Sequence, residues 1–238
     1  MACLEHVACS MFRAASSSES RCNETNSVMA PFLDSAARDL LFLRARTHNA
    51  WLDRPVSDSK LEELYGLAKW GPTSANSNPM RVIFLRTKEA KVRLRPALMG
   101  ANIDKTMAAP VTAIIAYDLE FHKQLPRLFP HDPQIRDYFA NQPDLRDSTA
   151  QRNSALQGAY FMIAARAVGL DCGPMSGFDN AKVDQEFFSP GKLGEKDGDP
   201  FLAGSLRSNF ICNLGYGDPA KLLPRHPRLD FRESCTIL

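Results

Sequence analysis

The stretch Gly169-Leu170-Asp171-Cys172-Gly173-Pro174-Met175-Ser176-Gly177-Phe178-Asp179 packs three glycines and a proline into its first nine residues, directly after a long helical pattern. Such a run suits a place where backbone amides must approach a flat ligand closely. Glycine removes the Cβ and tolerates positive φ, and proline fixes the direction of the chain. By itself the run also fits an ordinary helix C-cap followed by a turn.

The frame around it is that of one domain. At 238 residues, with 44% hydrophobic and 24% charged residues, the chain suits a single α/β or α+β unit. A net charge of +2, with no Lys/Arg stripe and interleaved aromatics, gives no case for nucleic acid. The longest apolar stretches, Val111 to Tyr117 and Phe161 to Ala165, are too short to cross a bilayer, so a soluble, cytoplasmic protein is expected. Six cysteines form no C-x-x-C pair and have no zinc-ligand spacing with the five histidines, so reduced thiols and no metal are expected. Residues 1–30 carry a serine run without periodicity and read as a disordered extension, with Met29 an alternative start; residues 31–238 form the domain.

Periodicity sets out the elements. A helix is expected from Pro31 to Thr47, with Phe32, Ala36, Leu40 and Leu43 on its inner face. A second, from Asp58 to Trp70, is capped by Ser57, buries Leu61, Leu64, Tyr65 and Ala68, and stops at Gly71-Pro72. Arg81 to Arg86 and the almost wholly apolar Val111 to Tyr117 read as strands, the latter central. Helices follow at Lys88 to Met99, about Gln134 to Ala140, Arg146 to Val168 and Asn180 to Phe188. In the long one, Gly158 costs about 1 kcal/mol against alanine, which a close helix crossing or a subunit contact could offset. Ser189 to Ser205 reads as a mobile loop, Phe210 to Gly215 as a third strand, and Asp218 to Leu238 as an extended tail. The outcome is helices around a small mixed sheet.

Familiar catalytic signatures are missing: no G-x-G-x-x-G after a strand, no Walker loop, no G-x-S-x-G and no H-E-x-x-H. Four polar clusters remain. Arg44-Ala45-Arg46-Thr47-His48-Asn49-Ala50-Trp51 offers guanidinium forks, a hydroxyl and an amide, which a phosphate monoester needs together; arginine near a helix end also simply complements the helix dipole. Gly71-Pro72-Thr73-Ser74-Ala75-Asn76-Ser77-Asn78-Pro79 offers short side chains able to bond ring nitrogens and carbonyls, or forms a plain polar turn. Asn102-Ile103-Asp104-Lys105 precedes the central strand, where Lys105 is an electrostatic candidate or a surface lysine. Arg225 and Arg228 give the tail a basic pair.

With the opening stretch, these clusters resemble, in order, the motifs of the nitroreductase family of flavin enzymes, over about Phe32 to Phe231. Arg46 and Thr47 match the second arginine and the serine of that family's Arg-Arg-Ser-x-Arg-x-Phe element, with Trp51 at the Phe; Ala45 and Asn49 depart from it. Ser74 and Asn76 fall in its Pro-Ser-x-x-Asn-x-Gln-Pro loop, and Asn102 with Lys105 in its Asn-x-x-Lys element. The resemblance implies an α+β, nitroreductase-like fold with a small, mostly antiparallel sheet, and a homodimer binding FMN at the subunit interface. Arg46, Thr47, Asn49 and Arg228 would serve the phosphate, Ser74 and Asn76 the ring, and Asn102 and Lys105 the pyrimidine edge. The turn Pro174-Met175-Ser176-Gly177 would present the backbone N–H groups of Ser176 and Gly177 to N5 and O4, with Ser176 where many members have Glu.

It also implies a ping-pong cycle in which NADH or NADPH gives hydride to flavin N5 and an acceptor then takes it, with no side chain as catalyst. The stretches Gly-Pro-Thr-Ser-Ala-Asn and Asn-Leu-Gly-Tyr-Gly-Asp-Pro are similar to the malonic semialdehyde reductase subgroup. That points to reduction of the aldehyde to 3-hydroxypropanoate in pyrimidine breakdown. A broad nitroaromatic or quinone reductase and a non-catalytic flavin-binding protein are the alternatives.

Overall fold

Two inner strands organise the molecule. In the computed structural model, which describes residues 32–190 and 204–238, β1 (Met80–Leu85), β2 (Val111–Asp118), β3 (Asp171–Met175) and β4 (Leu206–Gly215) form one sheet in the order β1-β2-β4-β3. Every pairing is antiparallel, so the sheet is not mixed. Asp34–Leu238 is one compact unit. The expected disorder of residues 1–30 and most of the expected loop between Ser189 and Ser205 lie outside the described residues.

β2 is apolar on both faces because both are covered. Ala113 and Ile115 point to a layer made by α2 (Asp58–Ala68) and α7 (Pro143–Ala167), through Leu61, Leu64, Phe161 and Ala165. Ile114 and Ala116 point to the opposite layer, where Leu94, Phe178, Val183 and Phe187 gather. Burying one such side chain contributes about 1.5–3 kcal/mol.

The helices begin with a short α1 (Ser35–Arg38) that loosens into a π-helical turn, Asp39–Leu43, well inside the expected limits of 31 and 47. Leu40 and Leu43, expected to face inward, are 52% and 66% exposed, because no element among the described residues covers that stripe. In α2 the Ser57 hydroxyl accepts the Lys60 N–H at 3.2 Å, as a cap should, while Tyr65 stays half exposed. α3 (Lys88–Leu94) ends early in a 3-10 turn at Pro96, and α4 (Gly100–Ala108) takes up the segment holding Asn102 and Lys105. α5 (Leu125–Leu128) and α6 (Ile135–Ala140) lead into α7, which starts at Pro143 rather than Arg146. The expected helix at 180–188 is α8 (Asn180–Val183) followed by a π-helical turn, and a last short α9 (Phe231–Ser234) lies in the tail.

The opening stretch is both a cap and a strand. Gly169 ends α7 with φ +81°, and the next residues, expected to turn, pair with β4 as the edge strand β3. Gly158 in α7 sits beneath β4: a Cβ there would stand 2.5 Å from Phe210 Cε1. The close crossing is with a strand.

Candidate anion and cofactor site

Arg46, Thr47 and Asn49 follow the π-helical turn and are fixed against β3. Thr47 bridges to Cys172, and the His48 N–H donates to the Cys172 carbonyl at 2.9 Å. The tail closes over them from the other side. The Arg46 guanidinium donates to the Leu223 carbonyl, and Arg225 Nη2 donates to the Ala45 carbonyl at 2.9 Å. Between these walls lies a cavity of about 570 Å³ bordered by Arg46, Thr47, Asn49, Arg166, Arg225 and Arg228.

Its chemistry is that of an anion site. Among the described residues, none of these four arginines forms an ion pair with a carboxylate. Arg228 Nη1 reaches only the carbonyls of His226 and Pro227, both at 3.1 Å. Four clustered guanidiniums repel one another unless an anion joins them, and their forked donors match phosphate oxygens.

Past β3 the chain offers backbone donors. Ser176 and Gly177 follow the last paired residue, Met175, and their N–H groups find no acceptor among the described residues. The Gly177 carbonyl, in contrast, is held twice, by Asn102 Nδ2 at 2.7 Å and by the Met99 N–H at 3.1 Å. A Cβ on Gly177 would lie 2.5 Å from Asn102 Nδ2, so only glycine allows this contact. Asn102 is buried and acts here on Gly177, a role its place in a motif did not reveal.

Lys105 lies one turn further along α4. Its main-chain carbonyl accepts from Trp51 Nε1 at 3.2 Å and from Asn213 Nδ2 at 3.3 Å. Asn213 is fully buried, and its Oδ1 accepts the Thr112 hydroxyl at 2.8 Å. This network was missed in the sequence. Its signal was a polar residue inside each of two apolar strands, Thr112 in Val-Thr-Ala-Ile and Asn213 in Ile-Cys-Asn-Leu.

Ser74 and Asn76 do not border the arginine cavity. The Ser74 N–H donates to Asn153 Oδ1 at 2.8 Å, and Asn76 Nδ2 to the Leu128 carbonyl at 2.9 Å. Asn76 and Asn78 border a second cavity of about 800 Å³. In the same loop Ala75 has φ +49°, a left-handed conformation that costs a non-glycine residue about 1–2 kcal/mol.

Other chemistries find little support. His48 lies 3.4 Å from Asp171, but among the described residues its buried Nδ1 has no partner, so none of their hydroxyls is in place for a Ser-His-Asp relay. A hydrogen bond with Cys172, together with burial, pushes the Cys212 thiol well above its ordinary pKa, which keeps it protonated and un-nucleophilic. Among the described residues no cluster of His, Cys, Asp or Glu could hold a metal ion, and no helix is long and apolar enough to cross a membrane.

Comparison with known proteins places this arrangement. The model of the nitroreductase family matches residues 43–194. A "Putative NADH dehydrogenase/NAD(P)H nitroreductase" of Burkholderia lata is 55% identical over 205 residues, covering 86% of this chain and 98% of its own. The Stenotrophomonas maltophilia protein of the same description is 55% identical over 209 residues, covering 88% and 100%. In fold, the chain is similar to a "putative nitroreductase in complex with FMN" from Exiguobacterium sibiricum, with a TM-score of 0.71 at 17% identity, covering 88% of this chain and 99% of that one.

Proposed function

The chain belongs to the nitroreductase family, and on that footing we propose that it is an FMN-dependent NAD(P)H oxidoreductase, active as a homodimer, whose acceptor is malonic semialdehyde. The cavity of four carboxylate-free arginines carries this reading, because it suits the phosphate that distinguishes FMN from riboflavin. Two open backbone donors at Ser176 and Gly177 fit the polar edge of a flat ring.

Arg46, Thr47, Asn49 and Arg228 hold the phosphate. Asn102 fixes the Gly177 carbonyl, and so aims the Ser176 and Gly177 N–H groups that follow Pro174 and Met175. Bound there, FMN would supply the two-electron chemistry that links NADH or NADPH to the acceptor. Lys105 supplies positive charge where reduction places negative charge, which favours hydride acceptance. No side chain acts as a nucleophile.

Ser74 and Asn76 do not border the arginine cavity; in a homodimer the loop of one protomer would complete the site of the other. Exposed Leu40, Phe42 and Leu43 provide apolar surface for such a contact. Ser176 supports the acceptor assignment. Malonic semialdehyde is a carboxylate, and a neutral serine beside the reacting centre does not repel it as glutamate would.

Steady-state rates test the acceptor. With NADH or NADPH, kcat/KM for malonic semialdehyde should exceed that for a nitroaromatic or a quinone by at least about tenfold, a difference of ~1.4 kcal/mol in barrier. The reverse order would replace the aldehyde assignment with a broad nitroaromatic or quinone reductase. Flavin binding without turnover of any acceptor would make the protein a flavin carrier.

A further inference from the structure

We infer that Arg166, which matches no motif element, is an anion-binding residue of this site and sets its selection of FMN over riboflavin. The inference rests on the reading of the cavity as the FMN phosphate site.

Arg166 lies in the last turn of α7, on the side facing the π-helical turn, and borders the cavity with Arg46, Arg225 and Arg228. Its Nη1 donates to the Leu41 carbonyl at 3.1 Å. Its Nε is buried and has no acceptor among the described residues. A guanidinium held in the fold without a carboxylate partner is costly unless an anion joins it.

Two bland roles explain less. As a complement to the helix dipole, Arg166 should bond the last carbonyls of α7, but those accept from Val168 and Gly169 N–H groups and the Arg166 side chain reaches Leu41 instead. As a pin for the π-helical turn, it needs only Nη1, and its charge is left without a carboxylate partner among the described residues. A phosphate in the cavity supplies the missing counter-charge.

The other three arginines differ. Arg225 and Arg228 are exposed on the tail, and Arg46 is tied to a tail carbonyl. Arg166 projects from a 25-residue helix packed across the sheet, so less side-chain freedom is lost when it binds. It is the rigid member of the cluster, and an anion would be registered on it.

The test compares flavins that differ only in the phosphate. Dissociation constants for FMN and riboflavin are measured by flavin fluorescence on the full-length apoprotein, for wild type, Arg166→Gln and Arg166→Lys. Loss of one charge-assisted phosphate contact should weaken FMN roughly 10- to 100-fold in Arg166→Gln, with riboflavin affinity unchanged and Arg166→Lys intermediate. Unchanged riboflavin affinity also shows that the variant is folded. Equal weakening for both flavins would make Arg166 a support for the turn, and unchanged FMN affinity would remove it from the site; either result overturns the inference.

Inorganic phosphate separates this inference from the functional reading. It should raise the Tm of the wild type more than that of Arg166→Gln. A wild type that binds no flavin yet shows that difference would sink the flavin reading and keep the anion role. An equal phosphate effect in both proteins would sink the anion role.

Discussion

At Lys105 two side chains from different parts of the fold, Trp51 and Asn213, hold the same main-chain carbonyl, so the ammonium leaves α4 from a fixed point. If that charge stabilises reduced flavin, Lys105→Ala should lower FMN affinity or the rate of flavin reduction by NADH about tenfold, read by fluorescence titration and by stopped flow. Unchanged values for both would take Lys105 out of the site. His122 gives a second prediction at this scale. Burial, and then the nearby Arg146 charge, push its pKa below the ordinary value. The unfolded chain therefore takes up the proton first as pH falls. Stability held above pH ~6.5 is lost progressively below it. Tm should drop between pH 7.5 and pH 5.5, and His122→Gln should make the drop smaller; an equal drop would acquit His122.

Elements were legible where one physical cue acted alone. β2 could be read because burial on both faces leaves an almost unbroken apolar run, and α2 because Ser57 caps a clean stripe of Leu61, Leu64 and Ala68. β3 was not, because Gly173 and Pro174 carry the composition of a turn. An edge strand tolerates proline, and β3 is an edge. The first helix is shorter than its apolar spacing predicts, because that spacing marks a face that no element among the described residues covers. Gly158 shows the limit of propensity most sharply. By helix propensity alone, Gly158→Ala should stabilise α7 by about 1 kcal/mol. Because Phe210 packs over that spot against the α2–α7 core, the substitution should instead destabilise by about 1–3 kcal/mol in denaturant unfolding. Phe210→Leu in the same chain should recover most of the loss. A stabilised single variant would contradict the packing argument.

For the whole molecule, the motifs were legible in order but not in partnership. Arg46, Thr47, Asn49 and Arg228 meet around one cavity although Arg228 comes from the far end of the chain. The same sequence pattern gave no sign that Asn102 would serve Gly177, or that Ser74 and Asn76 would stand elsewhere. Folding alone decides such distances, since residues 30 or 180 positions apart share no local signal. A homodimer resolves the separation of Ser74 from the cavity, and sedimentation of the purified protein should give the mass of two chains; a monomer that still binds FMN would require a site built within one chain. The central claim, an FMN-dependent NAD(P)H oxidoreductase, is tested most directly by an anaerobic visible spectrum of the protein after incubation with FMN and removal of free flavin. Flavin bands should be present, bleach on addition of NADH or NADPH, and return with malonic semialdehyde. A protein that retains no flavin, or whose flavin neither reduced nicotinamide bleaches, would contradict the account.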